Sequence, residues 1–267
     1  MSNINKKCKI SVDKPIIRNA PQILYGSVFP DKKGRLAGLF ETKKNSIKVY
    51  QGASDFFLGS GEDLKCLRGM DLDFEVELAI IVDAVPMGVP VVDADKYIQV
   101  LTACNDFTYR SLASIDKASG FGFIQSKPLT SFCSCGILPL DNKAVWNNGL
   151  PVLDVSVLLN GKIFCEFSTV DMLYSFSELI AYCARTRDLP TGTVITSGAV
   201  STFKNGSLSD GCIAERIMCA PPESSISTQN FLQDKDIVQV DFYQLGDGRA
   251  TCSESIFGSL VNRVVMV

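Results

Sequence analysis

The stretch that most constrains this chain is Asp73-Phe74-Glu75-Val76-Glu77-Leu78, where acidic and apolar side chains alternate without a slip. A period of two is the period of an extended strand. Phe74, Val76 and Leu78 therefore point to one face, and Asp73, Glu75 and Glu77 to the other. The apolar face demands burial. The acidic face has two solutions: a solvated sheet edge, or a site where a hard divalent cation among the oxygens offsets the repulsion of like charges on one strand face. The segments C-terminal to this strand favour the second.

The 267 residues contain no histidine. That removes Ser-His-Asp and Cys-His catalysis, imidazole ligands, and with them nearly all catalytic zinc sites. A general base must come from Asp, Glu, Lys, Tyr or Cys, or from water activated by a metal. With 46% hydrophobic residues the chain can form one large domain, or one domain with a small appendage. Its 26 basic and 29 acidic residues leave no basic excess, which argues against nucleic acid or an anionic membrane surface as partner. The polar, lysine-rich stretch from Met1 to Ile10 lacks the apolar core of a signal peptide. The most apolar stretch, Leu78 to Val92, is broken by Asp83, Pro86 and Pro90 and is too short to span a bilayer. Ten cysteines, scattered singly apart from Cys133 and Cys135, predict the reduced thiols of a cytoplasmic protein.

Residues 1–47 are punctuated by Pro15, Pro21, Pro30 and Gly34 and predict short strands and loops. Asp93 is placed to cap a short helix. The apolar run Ile98 to Cys104 predicts a buried strand ending at Asn105-Asp106, and residues 120–128 a loop. Asp154 to Asn160 alternates as a strand, and Asn160-Gly161 predicts a hairpin into Lys162 to Phe167. Apolar residues at helical spacing predict an amphipathic helix from Asp171 to Arg185. Val194 to Thr196, Asp236 to Phe242 and Ser259 to Val267 complete the strands. Many short strands with about one long helix indicate an α+β or mainly β fold, not a doubly wound sheet.

Taken in order, several motifs resemble the fumarylacetoacetate hydrolase family from about Tyr50 to Gly258. Asp73-Phe-Glu75-Val-Glu77-Leu is similar to its D-[YF]-E-x-E-L strand, and Asn105-Asp106-Phe-Thr-Tyr-Arg110 to its N-D-x-S-x-R segment. Ser126-Lys127-Pro-Leu-Thr130-Ser-Phe132 resembles its G-K-x-x-D-x-F segment. Pro190-Thr-Gly-Thr-Val-Ile-Thr-Ser197-Gly198 comes next in the expected place. Tyr50-Gln-Gly-Ala-Ser-Asp55 and Ser255-Ile-Phe-Gly258 resemble a little-characterised bacterial branch.

The resemblance implies an α+β fold, a mixed β-sandwich roll of the family's C-terminal-domain type. Residues 1–60 form a shortened N-terminal segment and lid candidate, and residues 61–267 the catalytic domain. It implies a homodimer with an interface above roughly 1,000 Å². It also implies a Mg²⁺, Mn²⁺ or Ca²⁺ site made by Glu75, Glu77 and Asp106, with Arg110, Thr130, Ser197 and Gly198 binding substrate and Lys127 beside both. The substrate class is a small oxo- or dioxo-carboxylate, and the reactions are C–C hydrolysis, decarboxylation, hydration or keto–enol isomerisation. The chain departs from the family where it matters for a base. Leu39 falls near the family's histidine position and leaves Glu41 as a nearby carboxylate. Glu215 aligns with the glutamate that orients that histidine, and Asp116, in the loop before Lys127, is a replacement acid/base candidate. Ala113 and Ala199 stand where many members carry glutamine and threonine. The rival expectation is a homologue that has lost its chemistry and keeps the metal site as a structural or ligand-sensing element.

Overall fold

A computed structural model describes residues 8–9, 14–30, 47–204, 207–209, 211–219, 230–246 and 254–267. Two mixed sheets organise the chain. The six-stranded sheet contains β1 (Ile23–Gly26), β2 (Val49–Gly52), β4 (Val76–Val82), β5 (Ile98–Asp106), β6 (Thr130–Phe132) and β9 (Val194–Thr196), in the order β2-β1-β9-β4-β5-β6. The five-stranded sheet contains β3 (Asp63–Cys66), β7 (Leu153–Leu159), β8 (Lys162–Ser168), β10 (Ile237–Gln244) and β11 (Leu260–Met266), in the order β8-β7-β10-β11-β3. All pairings are antiparallel except β1 with β9 and β3 with β11. Of the strands in the first 60 residues, β1 and β2 are thus built into the same sheet as β4, while Cys8–Lys9 pairs apart from it with Cys135–Gly136.

Val76, Leu78, Ile80 and Val82 of β4 meet Leu153, Val155 and Val157 of β7 and Val238, Val240 and Phe242 of β10 in one core. The opposite face of the six-stranded sheet is also covered, by a smaller cluster that includes Tyr25, Ala79, Cys104 and Phe132. A strand buried on both faces loses its polar outer side. That is why β4 is almost continuously buried and why Glu77, at 2% exposure, is an interior carboxylate and not part of a solvated edge. The expected roll is present, and Asn160 (φ 54°) and Gly161 (φ 75°) form the β7–β8 turn where the Asn-Gly pair predicts it.

Three expectations are corrected. The acidic stretch is not one strand: Leu72–Asp73 pairs with Thr108–Tyr109, the ladder breaks at Phe74-Glu75, and β4 starts at Val76. The Glu75 N–H crosses the break to the Asn105 side-chain oxygen at 3.1 Å. The helix expected from Asp171 is α2, Phe176–Cys183. It begins at Ser175 because Ser175 and Glu178 form a reciprocal capping box that satisfies the first free N–H groups. Asp93 lies inside a one-turn helix, Val91–Ala94, preceded by Pro90. Among the described residues no helix is long and apolar enough to cross a membrane.

Candidate active site

The site lies where β5 ends and β4 and β6 begin, beside the helix α1 (Arg110–Ser119) and the loop after it. Register brings the acids together. The Asp106 N–H donates to the Glu75 carbonyl at 2.8 Å, and Glu77 sits opposite Cys104, two residues before Asp106. One carboxylate oxygen from each of Glu75, Glu77 and Asp106 falls within 4.8 Å of the others.

Charges then alternate along a line. Asp73 Oδ2 accepts Arg110 Nε at 2.8 Å, and Arg110 Nη1 reaches Glu75 Oε1 at 2.7 Å. Glu75 Oε2 accepts Lys127 Nζ at 2.5 Å, and Lys127 reaches Asp106 Oδ2 at 2.6 Å and Thr108 Oγ1 at 2.7 Å. Burial pushes the Glu75 carboxyl up, but Lys127 and Arg110 outweigh it and hold the group down at about 2. Burial pushes Glu77 well above the usual carboxylate range, and the charge of Asp106 adds to this. Asp106 is likewise shifted up by burial. Lys127 is held above the usual lysine range, because Asp106 and Glu75 outweigh its burial.

The charges do not balance. Four carboxylates (Asp73, Glu75, Glu77 and Asp106) face two cations, so the fully ionised cluster carries two excess negative charges. Glu77 Oε2 is buried with no hydrogen-bond partner. A buried, unpaired carboxylate oxygen is costly unless something neutralises it. The donor set is all oxygen, and the deficit is two charges. A hard divalent cation such as Mg²⁺, Mn²⁺ or Ca²⁺ fits both.

Glu75 and Glu77 of the cluster face a cavity of about 700 Å³, with Asp73 and Asp106 buried behind them. Arg110, Lys127, Gly198 and Glu215 line it, as do Ala113 and Ala199, which keep it wide. Glu215 comes from α3 (Ile213–Cys219), and Asp73 docks that helix: its two oxygens accept the N–H groups of Ile213 and Ala214 at 2.8 and 2.9 Å. The fully buried Asp73 therefore fixes both Arg110 and the helix that carries Glu215.

The Ser197 hydroxyl donates to its neighbour's carbonyl and accepts the Leu78 N–H, bolting the turn to β4. Gly198 (φ +77°) passes so close to Gly26 that a Cβ would lie 2.4 Å from that carbonyl oxygen, so the tight turn at the cavity wall requires glycine. Thr130 is buried, and its hydroxyl donates to Asp106 Oδ1 at 2.8 Å. Asp116 is not on a loop. It sits in α1, and its carboxylate accepts the N–H groups of Ser126 and Gln125, which keep it below the usual range and pin the segment before Lys127. Glu41 lies outside the described residues. Sequence reasoning missed Tyr25, Tyr50 and Phe123. Tyr25 stacks on Tyr50, and Phe123 meets Tyr50 edge-on, forming an aromatic wall beside the carboxylates. Burial, then Asp106, raises both phenols, so both keep their protons near neutral pH.

Residues 32–265 match the model for the fumarylacetoacetate (FAA) hydrolase C-terminal domain. The chain belongs to the fumarylacetoacetate hydrolase family. Its fold matches fumarylpyruvate hydrolase from Pseudomonas aeruginosa in complex with Mn²⁺ and pyruvate, with TM-score 0.66, 13% identity, and 97% of this chain and 99% of that chain covered. It also matches a fumarylacetoacetate hydrolase from Exiguobacterium antarcticum, with TM-score 0.64, 19% identity, and 93% and 76% covered. By sequence it is 30% identical over 131 residues to an uncharacterized protein of Pyrococcus horikoshii, covering 49% of this chain and 56% of that one. It is 27% identical over 135 residues to the oxaloacetate tautomerase YisK of Bacillus subtilis, covering 51% and 43%. The sequence matches span about half the length of these relatives. The family neighbours so named are enzymes, hydrolases and a tautomerase among them.

Proposed function

We propose that this member of the fumarylacetoacetate hydrolase family is a divalent-metal-dependent enzyme acting on a small oxo- or dioxo-carboxylate. The observation that carries the reading is the cluster of three carboxylates, two of which, Glu75 and Glu77, line one cavity with Lys127 and Arg110. Glu75, Glu77 and Asp106 would hold Mg²⁺, Mn²⁺ or Ca²⁺. The ion would supply Lewis-acid polarisation of the substrate's keto oxygen. Arg110 presents a fixed guanidinium to a substrate carboxylate, since Asp73 and Glu75 set its plane. Lys127, surrounded by acceptors, keeps its ammonium charge and stabilises an enolate oxygen without surrendering a proton. Glu215 is the carboxylate we assign to remove the proton α to the carbonyl. Keto–enol isomerisation consists of that transfer and the return of the proton. Decarboxylation reaches the same enolate by loss of CO₂ and hydration by addition of water, each then taking up a proton at that carbon. All three ask less of a base than water-activated C–C hydrolysis does. The likeness to an oxaloacetate tautomerase supports this ordering.

The test is deuterium incorporation α to the carbonyl of oxaloacetate or an acylpyruvate in D₂O, monitored by NMR. Exchange should need the divalent cation and stop with chelator, and Glu215→Gln should slow it by about 10²–10⁴-fold while Mg²⁺-dependent oxalate binding persists. Oxalate binding without any exchange in the wild type would favour the second reading, a homologue that keeps the ligand site and has lost the chemistry. The same reading includes a homodimer, for which light scattering should give twice the 29.0 kDa chain mass.

A further inference from the structure

Asp106 is gripped by hydroxyls that the proposed chemistry does not use. Its Oδ1 accepts the Thr130 hydroxyl at 2.8 Å, and Thr130 Oγ1 lies 2.5 Å from the Tyr25 hydroxyl. Its Oδ2 accepts the Tyr50 hydroxyl at 3.3 Å, beside Lys127 Nζ at 2.6 Å. The two tyrosines are joined as well. They are direct partners across β1 and β2, and their rings stack with centroids 5.0 Å apart and planes 12° from parallel. Thr130 is the direct partner of Asp106 across β5 and β6.

Proton accounting sets the direction of this chain of hydroxyls. A hydroxyl has one proton to give, and an ionised carboxylate can only accept. Thr130 therefore gives its proton to Asp106, and its lone pair takes the proton of Tyr25. The donors run from Tyr25 through Thr130 to Oδ1, and from Tyr50 to Oδ2. An ionised carboxylate has about four lone-pair sites. Thr130, Tyr50 and Lys127 occupy all but one of them.

We infer that Tyr50, and Tyr25 acting through Thr130, are positioning residues for the divalent-cation site, holding the Asp106 carboxylate in the orientation that leaves one lone pair for the ion. The inference rests on the metal-site reading of the proposed function and adds to it the residues that set the site's affinity. Partners in the outer shell of a metal site are typically worth 10–100-fold in affinity, because they remove the freedom of a ligand that would otherwise rotate away. A tyrosine that merely fills the core would affect melting and leave the affinity alone.

The experiment is calorimetric titration of Mn²⁺ and Mg²⁺ into the full chain, with the metal-free melting temperature recorded for each variant. Tyr50→Phe and Thr130→Val should each weaken binding roughly 10-fold. Tyr25→Phe should weaken it less, and should change nothing further once Thr130 is valine, because its link to Asp106 is already gone. Wild-type affinity in Tyr50→Phe and Thr130→Val overturns the inference, whatever their melting temperatures. A Tyr25→Phe effect that survives undiminished in the Thr130→Val background overturns the relay. Should Thr130→Val fail to fold, unchanged affinity in both tyrosine variants is enough to reject the proposal. A wild-type chain that binds neither ion refutes the underlying metal site, an outcome distinct from tight wild-type binding that the variants leave unchanged.

Discussion

Lys127→Met should cost the metal-free protein about 3–5 kcal/mol of unfolding free energy, the range for removing one partner of a buried ion pair. Lys127 is the counter-charge that Glu75 and Asp106 share, at 2.5 and 2.6 Å, and its side chain is only 12% exposed. Methionine keeps much of the length and apolar stem but leaves the carboxylates facing one another. In a chain of this size each kcal/mol moves the melting midpoint by about 2–4 °C, so a drop on the order of 10 °C is expected. The loss should also be conditional. A divalent cation replaces the missing positive charge, so the gain in melting temperature on adding Mg²⁺ should be larger in Lys127→Met than in the wild type. Chemical or thermal denaturation with and without Mg²⁺ reads both effects. A metal-free variant as stable as wild type would mean that the cluster is neutralised by other means, by protons on the carboxyls above all.

Much of this site was legible in the sequence because the determinants are local. Strand alternation places Val76 and Leu78 in the core and Glu77 on the opposite face, and the structure keeps that division. Asn160-Gly161 marks its hairpin, and the apolar run up to Asn105-Asp106 marks β5. The illegible part depends on partners far along the chain. Asp73 looks like a third member of the acidic face. In the structure it leaves for Arg110 and for two helix N–H groups 140 and 141 residues away, and nothing near Asp73 announces that.

Helix α1 was hidden for a different reason. Its N-cap is Tyr109, with no side-chain capping bond, so the usual start signal is missing. Gly120, at φ 75°, is the left-handed C-terminal residue that could have revealed its end. For α2 the signal was present and readable: Ser175 and Glu178 stand at capping-box spacing, a stronger mark of the start than the apolar period. The aromatic wall could not have been read. Tyr25 and Tyr50 become neighbours only through the β1–β2 register, and Phe123 reaches them from the loop after α1.

Whether Glu75, Glu77 and Asp106 form one divalent-cation site is decided by melting the wild type and Glu77→Gln in Mg²⁺ and in NaCl of equal ionic strength. A ligand at about 100 times its dissociation constant adds roughly 2.7 kcal/mol to the folded state. That corresponds to a rise of roughly 5–10 °C for the wild type in Mg²⁺. Glu77→Gln should lose most of that rise. Without metal it should be at least as stable as wild type, because an unpartnered, buried carboxylate oxygen that repels Asp106 has been removed. NaCl should give little shift, since screening by salt is weak for buried charges. Equal shifts in Mg²⁺ and NaCl, or an undiminished Mg²⁺ shift in Glu77→Gln, would contradict the site.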